Sequence, residues 1–428
     1  MSENKDPSSL VNYLVITANV GSLFEDLDGI QDVWVEQLCK VVAQQQPKFI
    51  ALHCQELGGK KYKSSLEPVK QFFNKLMKCK DFSEFSTVRG FLDGDFDNME
   101  QYTALGNIYF IHSSLKEAKL FNYKDNVFSE TKGKEVVYQG LAQVPHIRKE
   151  KFAQDFFPGC RWSRKGYIRV RWEIHGKELE FVNVHLFHDD NNLVSIKSSP
   201  SPYTAYRKRA LNFVTRRLQE EHRTDDQLMF MCGDFNFRLD VKALVQKICP
   251  TSRQQVVRAP TDGDEIIRVL FRNNQSSSEV IDVKTENDVL VKIEKKVFEV
   301  EQKLLQEKFC YKYLKPFDTE LHASNEDMKE YEITFPPTYP LSENITTSED
   351  YMRTRCPAWC DRVLMSPQTW DWIHTDNKLE VKYSTVGGDV CMGDHKPVYL
   401  AFTATHTIDS SHQEPQPSLS NGSDSLPP

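Results

Sequence analysis

Residues 230–240 read "FMCGDFNFRLD", an apolar run that ends in Asp234, Asn236 and Arg238. A buried carboxylate or amide costs several kcal/mol unless it is paired or hydrogen-bonded, so a strand with such a tip has a task for it. Residues i and i+2 of a strand share a face, so Asp234 and Asn236 can reach one site together. Working outward, further β-branched and aromatic runs read as strands: "YLVITANV", "KFIALHCQE", "NIYFIH", "YIRVRWEI", "ELEFVNVHL", "RVLM" and "PVYLAFTA". Many are apolar on both faces, the pattern of strands covered on each side. Helical patterns lie between them: "IQDVWVEQLCKVVAQQ" at 30–45, "YRKRALNFVTRRLQEE" at 206–221 and the charge-rich "VLVKIEKKVFEVEQKLLQEKF" at 289–309. The mixture predicts an α/β fold in one domain, residues 11–405, in which packed sheets are flanked by helices. Residues 1–10 and the tail 406–428, "HTIDSSHQEPQPSLSNGSDSLPP", are expected to be disordered, because so little apolar surface cannot offset ordering entropy.

The 428 residues are 39% hydrophobic, enough for a large core without covalent staples. The ten cysteines are scattered, with one close pair in "CPAWC" (Cys356, Cys360) and no second Cys or His pair at zinc spacing, which points to reduced thiols inside a cell. The polar N-terminus "MSENKDPSSL" is not a signal peptide, and no apolar run approaches the roughly 18 residues that span a bilayer. With 54 basic and 61 acidic residues the formal charge is −7, so nucleic acid is not an expected partner and any polyanion must be held locally. Residue 2 is Ser and no cysteine follows Cys391, so no lipid anchor is expected. The chain reads as a cytoplasmic monomer with at most peripheral contact with the plasma membrane.

Other predicted strands also finish in polar groups. The first ends in Asn19, the second in Glu56 and the "VNVHL" strand in His185; "CPAWCDRVLM" presents Asp361 before an apolar run, and "MGDHKPVYL" places Asp394 and His395 before the last strand. Each alone has an ordinary structural use, such as a turn or a satisfied core histidine. Together, oxygen-rich side chains, two histidines and neighbouring cations make the set that metal-assisted phosphoester hydrolysis requires.

These motifs resemble the exonuclease, endonuclease and phosphatase superfamily, and within it the inositol polyphosphate 5-phosphatases. "FMCGDFNFR" and "RCPAWCDRVL" are similar to the family's two signature stretches, and "TANVG", "HCQE", "NVHL", "FPPTYP" and "GDHKPV" follow its remaining motifs, most closely those of the type I branch. Met231 stands where the family often has Trp. The resemblance, which spans about residues 13–404, implies a four-layered α/β/β/α sandwich with the site where strand tips converge. It implies Mg²⁺ held by Glu56 with Asn19 and Asp394, Asp234 as general base, and Asn236 positioning water and phosphate. His395, oriented by Asp361, and His185 would face the phosphoryl oxygens. Lys165, Arg238, Arg362, Lys396 and Tyr339 are the expected substrate-binding residues. A nuclease of the superfamily would share the metal and acid–base set, but Arg362 and "FPPTYP" favour the phosphoinositide branch. A non-catalytic binding module is disfavoured by intact Glu56, Asp234, Asp361 and His395. Lipid-cleaving members commonly carry Lys after "PTY", whereas Pro340 stands here, so soluble inositol polyphosphates are the expected substrates.

Overall fold

The computed structural model describes residues 10–25, 29–159, 163–221, 228–260, 264–274, 288–304, 310–324, 327–348, 350–375 and 379–406. The expected disordered termini lie, in 1–9 and 407–428, outside the described residues. Leu10 already belongs to the first strand, paired with Thr405, and His406 is buried with its Nε2 2.9 Å from the Tyr13 hydroxyl.

Two large sheets form the body. One runs, in spatial order, Val381–Thr385, Val398–Thr405, Leu10–Asn19, Phe49–Gln55, Gly106–Ile111, Thr87–Leu92 and Lys134–Val137. The other runs Asp361–Met365, Leu228–Asp234, Lys177–His185, Gly166–Ile174, Ala118–Asn122 and Val127–Glu130, with Arg148–Lys151 also paired to Gly166–Ile174. Strand alternation builds the layers. On the first strand Val11, Tyr13 and Val15 join the core between the sheets, while Leu14, Ile16 and Ala18 face outward. The outward set packs with Trp34 and Leu38 of helix Ile30–Gln45 and with Phe72, Phe73 and Leu76 of helix Leu66–Lys78. On the second sheet Val182, Val184, Met231 and Leu364 pack against Ala210, Leu211 and Val214 of helix Pro202–Glu220. Aromatic rings join the inner faces: Phe49, Phe181, Phe230 and Phe402 stack in sequence at centroid distances of 5.6, 5.4 and 5.5 Å. Such contacts add about 0.5–1.5 kcal/mol each beyond area burial. The result is the expected helix–sheet–sheet–helix sandwich.

Of the helix expected over 289–309, residues 289–300 are strands instead, 302–304 are helical, and 305–309 lie outside the described residues. Val289–Glu294 and Val297–Val300 form a hairpin in a third, four-stranded antiparallel sheet with Arg253–Arg258 and Ile266–Arg272. Val291 and Ile293 are buried while Lys292 and Glu294 are only half-buried. That period of two belongs to a strand, and its charges had suggested a helix surface.

Candidate active site

The strands that pair in parallel bring their C-terminal tips together. Asn19 stands opposite Gln55 in the first sheet, and His185 opposite Asp234 in the second. A buried amide network locks the tips across the sandwich. Gln55 Nε2 donates to Asn183 Oδ1 at 2.8 Å, and Asn183 Nδ2 lies within 3.1 Å of Cys54 O, Gly106 O and Asn107 Oδ1. Because Gln55 precedes Glu56 and Asn183 lies two before His185, the network fixes where both side chains point. Glu56 and Asn236 take positive φ, 56° and 52°. Non-glycine residues held there cost about 1–3 kcal/mol and mark sites where backbone strain is kept for function.

Asp234 is the hub. Its Oδ2 accepts a hydrogen bond from Asn19 Nδ2 at 3.1 Å and lies 3.1 Å from His185 Nε2 and 4.0 Å from His395 Nε2, while Oδ1 accepts the Asn236 amide at 2.9 Å. Burial would raise its pKa, but His185, His395 and Lys165 hold it well below the carboxylate range. His395 Nδ1 donates to Asp361 Oδ2 at 2.8 Å, and that oxygen also accepts the Thr338 hydroxyl at 2.7 Å. Burial would lower His395, but Asp361, Asp234 and Asp394 raise it well above its usual value. Burial raises Asp361, against His395. The Tyr339 ring lies over His395 with centroids 4.4 Å apart. Burial and the neighbouring Lys165 lower the pKa of His185, against Asp234 and Glu56.

Glu56 opens toward solvent, its side chain 31% exposed, with Arg164 Nη2 3.6 Å, Lys165 Nζ 3.9 Å and His185 Nε2 3.8 Å away. Burial of the carboxyl would raise its pKa, but Lys165, His185 and Arg164 bring it to about 2. Asp394 Oδ1 accepts the Ser22 hydroxyl at 2.9 Å, and Glu343 Oε1 lies 2.8 Å from the same hydroxyl.

Residues 111–279 and 288–401 match the family model described as Endonuclease/Exonuclease/phosphatase family 2. The chain is 42% identical over 392 residues to human inositol polyphosphate-5-phosphatase A, covering 91% of this chain and 92% of that protein. It is 37% identical over 423 residues to a Caenorhabditis elegans protein named probable type I inositol 1,4,5-trisphosphate 5-phosphatase, covering 92% and 100%. The chain belongs to the inositol polyphosphate 5-phosphatase family. Among solved structures, a synaptojanin 5-phosphatase domain in complex with inositol (1,4)-bisphosphate and calcium ion aligns at TM-score 0.48 and 14% identity, over 93% of this phosphatase and 85% of that chain.

Among the described residues, two sets of groups offer ligand atoms for a metal. Asp234, Asp361 and His395 present ligand atoms within 4.8 Å of one another. There, however, His395 Nδ1 is committed to Asp361 Oδ2, which also accepts from Thr338, so two of the three already form a hydrogen-bonded pair, with Asp234 4.0 Å from His395 Nε2. The other set converges over Gly21. A Cβ on that glycine would lie 3.2 Å from Glu56 Oε2 and 3.3 Å from Asn19 Oδ1, so both oxygens border the space the glycine leaves. With Asp394 nearby, these all-oxygen donors fit a hard cation such as Mg²⁺ and include no thiol.

The expected substrate-binding residues divide. Lys165 contacts His185 and Glu56 in the site. Arg238 lies over the Tyr339 ring at 4.8 Å and donates from Nη2 to Asn236 Oδ1 at 2.7 Å, while its Nε and Nη1, though buried, meet no protein acceptor. Arg362 is a correction. Its guanidinium is fully buried against Asp318 (3.1 Å) and Glu330 (2.6 Å), so it braces the fold and does not face the site. Lys396 is a second, for its buried ammonium is bonded to the carbonyls of Gly387 and Val390. Sequence reasoning passed over Arg164, whose Nη1 donates to Gly59 O at 3.0 Å, and Arg355, whose charge Arg238 feels. The first adjoins Lys165 in sequence and the second opens "RCPAWCDR". Thr338 was missed too, and only the fold reveals its contact with Asp361.

Proposed function

We propose that this phosphatase removes the 5-phosphate from soluble inositol polyphosphates, inositol 1,4,5-trisphosphate and inositol 1,3,4,5-tetrakisphosphate, with Mg²⁺, and so ends the calcium signal carried by the trisphosphate. The observation that carries this reading is the Asp234–His185 and His395–Asp361 pairs set beside Glu56, Asn19 and Asp394 and among Lys165, Arg164 and Arg238. The name of the C. elegans relative supports the trisphosphate, and the uncharged Pro340 after Tyr339 supports soluble over lipid substrate.

Phosphate monoesters hydrolyse very slowly unaided, so charge must be neutralised and a water oriented. Glu56, Asn19 and Asp394 would hold the Mg²⁺, which would supply Lewis acidity toward a phosphoryl oxygen. As the water oxygen bonds to phosphorus and the bond from phosphorus to the ring 5-oxygen breaks, Asp234, held ionised, accepts the water's proton, with Asn236 sharing in the placement of that water. The departing ring oxygen takes a proton from solvent to leave as a hydroxyl. His395, kept as imidazolium by Asp361, Asp234 and Asp394, donates from Nε2 to the phosphoryl group, and His185 borders the other side of Asp234. Arg238, whose guanidinium lies between Asn236 and the Tyr339 ring and keeps a small exposed surface, supplies a cation for a further ring phosphate. No helix among the described residues is long and apolar enough to cross a membrane, and a cytosolic location would let the enzyme meet substrate after it has diffused from the membrane. The test is phosphate release by the purified chain, with and without Mg²⁺, on inositol 1,4,5-trisphosphate, phosphatidylinositol 4,5-bisphosphate vesicles and abasic DNA. Mg²⁺-dependent release that is fastest from the trisphosphate is expected; equal or faster release from vesicles at matched accessible substrate would overturn the soluble-substrate reading.

A further inference from the structure

Helix Pro202–Glu220 turns one cation fully inward. Arg207 donates from Nε and Nη2 to the two oxygens of Glu320 at 2.5 and 3.0 Å, and from Nη1 to Asp189 Oδ1 at 2.5 Å and Phe187 O at 3.1 Å. Burial opposes its charge, but Glu320 and Asp189 raise its pKa, so it remains a guanidinium. The partners of this fork lie on different segments. Phe187 and Asp189 belong to the loop that follows His185. Glu320 Oε2 also accepts the backbone N–H of Arg238 at 2.9 Å, on the loop that follows Asp234. Asn236 Nδ2 donates to Leu186 O at 3.0 Å and joins the same two loops closer to the chemistry. The hydroxyl of Ser195 holds the second oxygen of Asp189 at 2.5 Å, so Asp189 is itself fixed.

We infer that Arg207 is a positioning residue for substrate recognition. Through Glu320 it sets the backbone of Arg238, and through Asp189 and Phe187 it fixes that backbone relative to the strand end bearing His185. Being buried, it cannot touch substrate. Its effect reaches the ligand only through the Arg238 fork, so this inference rests on the reading of Arg238 as a phosphate ligand. A planar fork is required, because Lys offers a point charge that cannot bridge both oxygens of Glu320 and also reach Asp189 and Phe187 O.

The experiment compares the parent with Arg207→Lys, Glu320→Gln, Arg238→Met and the double variant Arg207→Lys/Arg238→Met. Steady-state kinetics on inositol 1,4,5-trisphosphate are measured beside thermal unfolding, to select variants that are folded at the assay temperature. Arg207→Lys should raise KM by about tenfold with kcat within about threefold of the parent, and Glu320→Gln should move KM in the same direction. In the double variant KM should stay within about twofold of Arg238→Met alone, because both changes remove one interaction. A folded Arg207→Lys with parental KM, or KM increases that multiply in the double variant, would overturn the positioning role. If Arg207→Lys does not fold, a parental KM in Glu320→Gln overturns it instead. Parental KM in Arg238→Met would sink the assignment of Arg238 itself, an outcome read separately from the Arg207 comparison.

Discussion

His395 donates from Nδ1 to Asp361 Oδ2 at 2.8 Å, and this contact leads those of Asp234 and Asp394 in raising the pKa of a ring that burial would lower. Asp361 is itself fixed by the Thr338 hydroxyl, which also accepts the backbone amides of Cys360 and Asp361 at 3.2 and 3.3 Å. Asp361→Asn keeps the shape and removes the charge that favours imidazolium. Turnover on inositol 1,4,5-trisphosphate should fall by roughly 10²–10⁴ with a smaller change in KM. Turnover within threefold of the parent would take His395 out of the proton-donating role.

Glu56 and Asp234 are both ionised carboxylates, yet they should fail differently when neutralised. Glu56 borders the space over Gly21, whereas Asp234 is bonded by the Asn19 side chain and the Asn236 backbone amide. Glu56→Gln should raise the Mg²⁺ concentration for half-maximal activity by about tenfold or more and lower the rate at every concentration. Asp234→Asn should lower turnover by roughly 10²–10⁴ with the Mg²⁺ half-saturation little changed. Metal titrations of the two variants that superimpose on each other would contradict the division of roles.

Arg362 should act on stability. It is shared between Asp318 and Glu330, and Asp318 also accepts from Lys315 at 2.8 Å. Burial would raise Asp318, but Arg362 and Lys315 depress it below its usual value. A carboxyl depressed in the folded state contributes stability above its unfolded pKa of about 3.9, and that contribution disappears as pH falls through the folded value. Asp318→Asn should therefore cost about 3–5 kcal/mol near neutral pH, and the gap between parent and variant should narrow at pH 3. Urea unfolding at pH 6 and pH 3 gives both numbers; an equal gap at the two pH values would exclude Asp318 as the titrating group.

That cluster also shows where the sequence stopped being informative. The sandwich was legible because strands apolar on both faces can be accommodated only between two layers, and the strand-end carboxylates were legible because apolar runs seldom terminate in unpaired charge. Arg362 stood in a motif with a site residue on one side, but neighbouring residues of a strand point to opposite faces, so Asp361 enters the site and Arg362 leaves it. Glu330 and Asp318, which receive it, lie 32 and 44 positions away, and nothing local announces them. The third sheet was hidden for a different reason. Lys and Glu alternate with Val and Ile in 291–294, a period of two too short to stand out within a charge-rich stretch that runs on to 308.

Gly21 provides the sharpest test of the cation site, because it touches the proposed ligands without being one. Its φ is not in the left-handed region, so alanine is acceptable to the backbone, unlike Gly233, where a Cβ would come within 1.9 Å of Val184 O. At Gly21 the added methyl would meet Glu56 Oε2 at 3.2 Å and Asn19 Oδ1 at 3.3 Å, so those oxygens must give way by a few tenths of an ångström. Mg²⁺ demands near-ideal geometry at short ligand distances, and a displacement of that size is enough to weaken it. Asn19 also donates to Asp234, so its displacement would spread to the hub, but the fold has no reason to suffer. Gly21→Ala should raise the Mg²⁺ half-saturation by about tenfold, recover most of its turnover at high Mg²⁺ and unfold within a few degrees of the parent, whereas Gly233→Ala should be strongly destabilised. Parental Mg²⁺ dependence in a folded Gly21→Ala would place the cation elsewhere, with the Asp234, Asp361 and His395 trio as the remaining oxygen- and nitrogen-bearing candidate among the described residues.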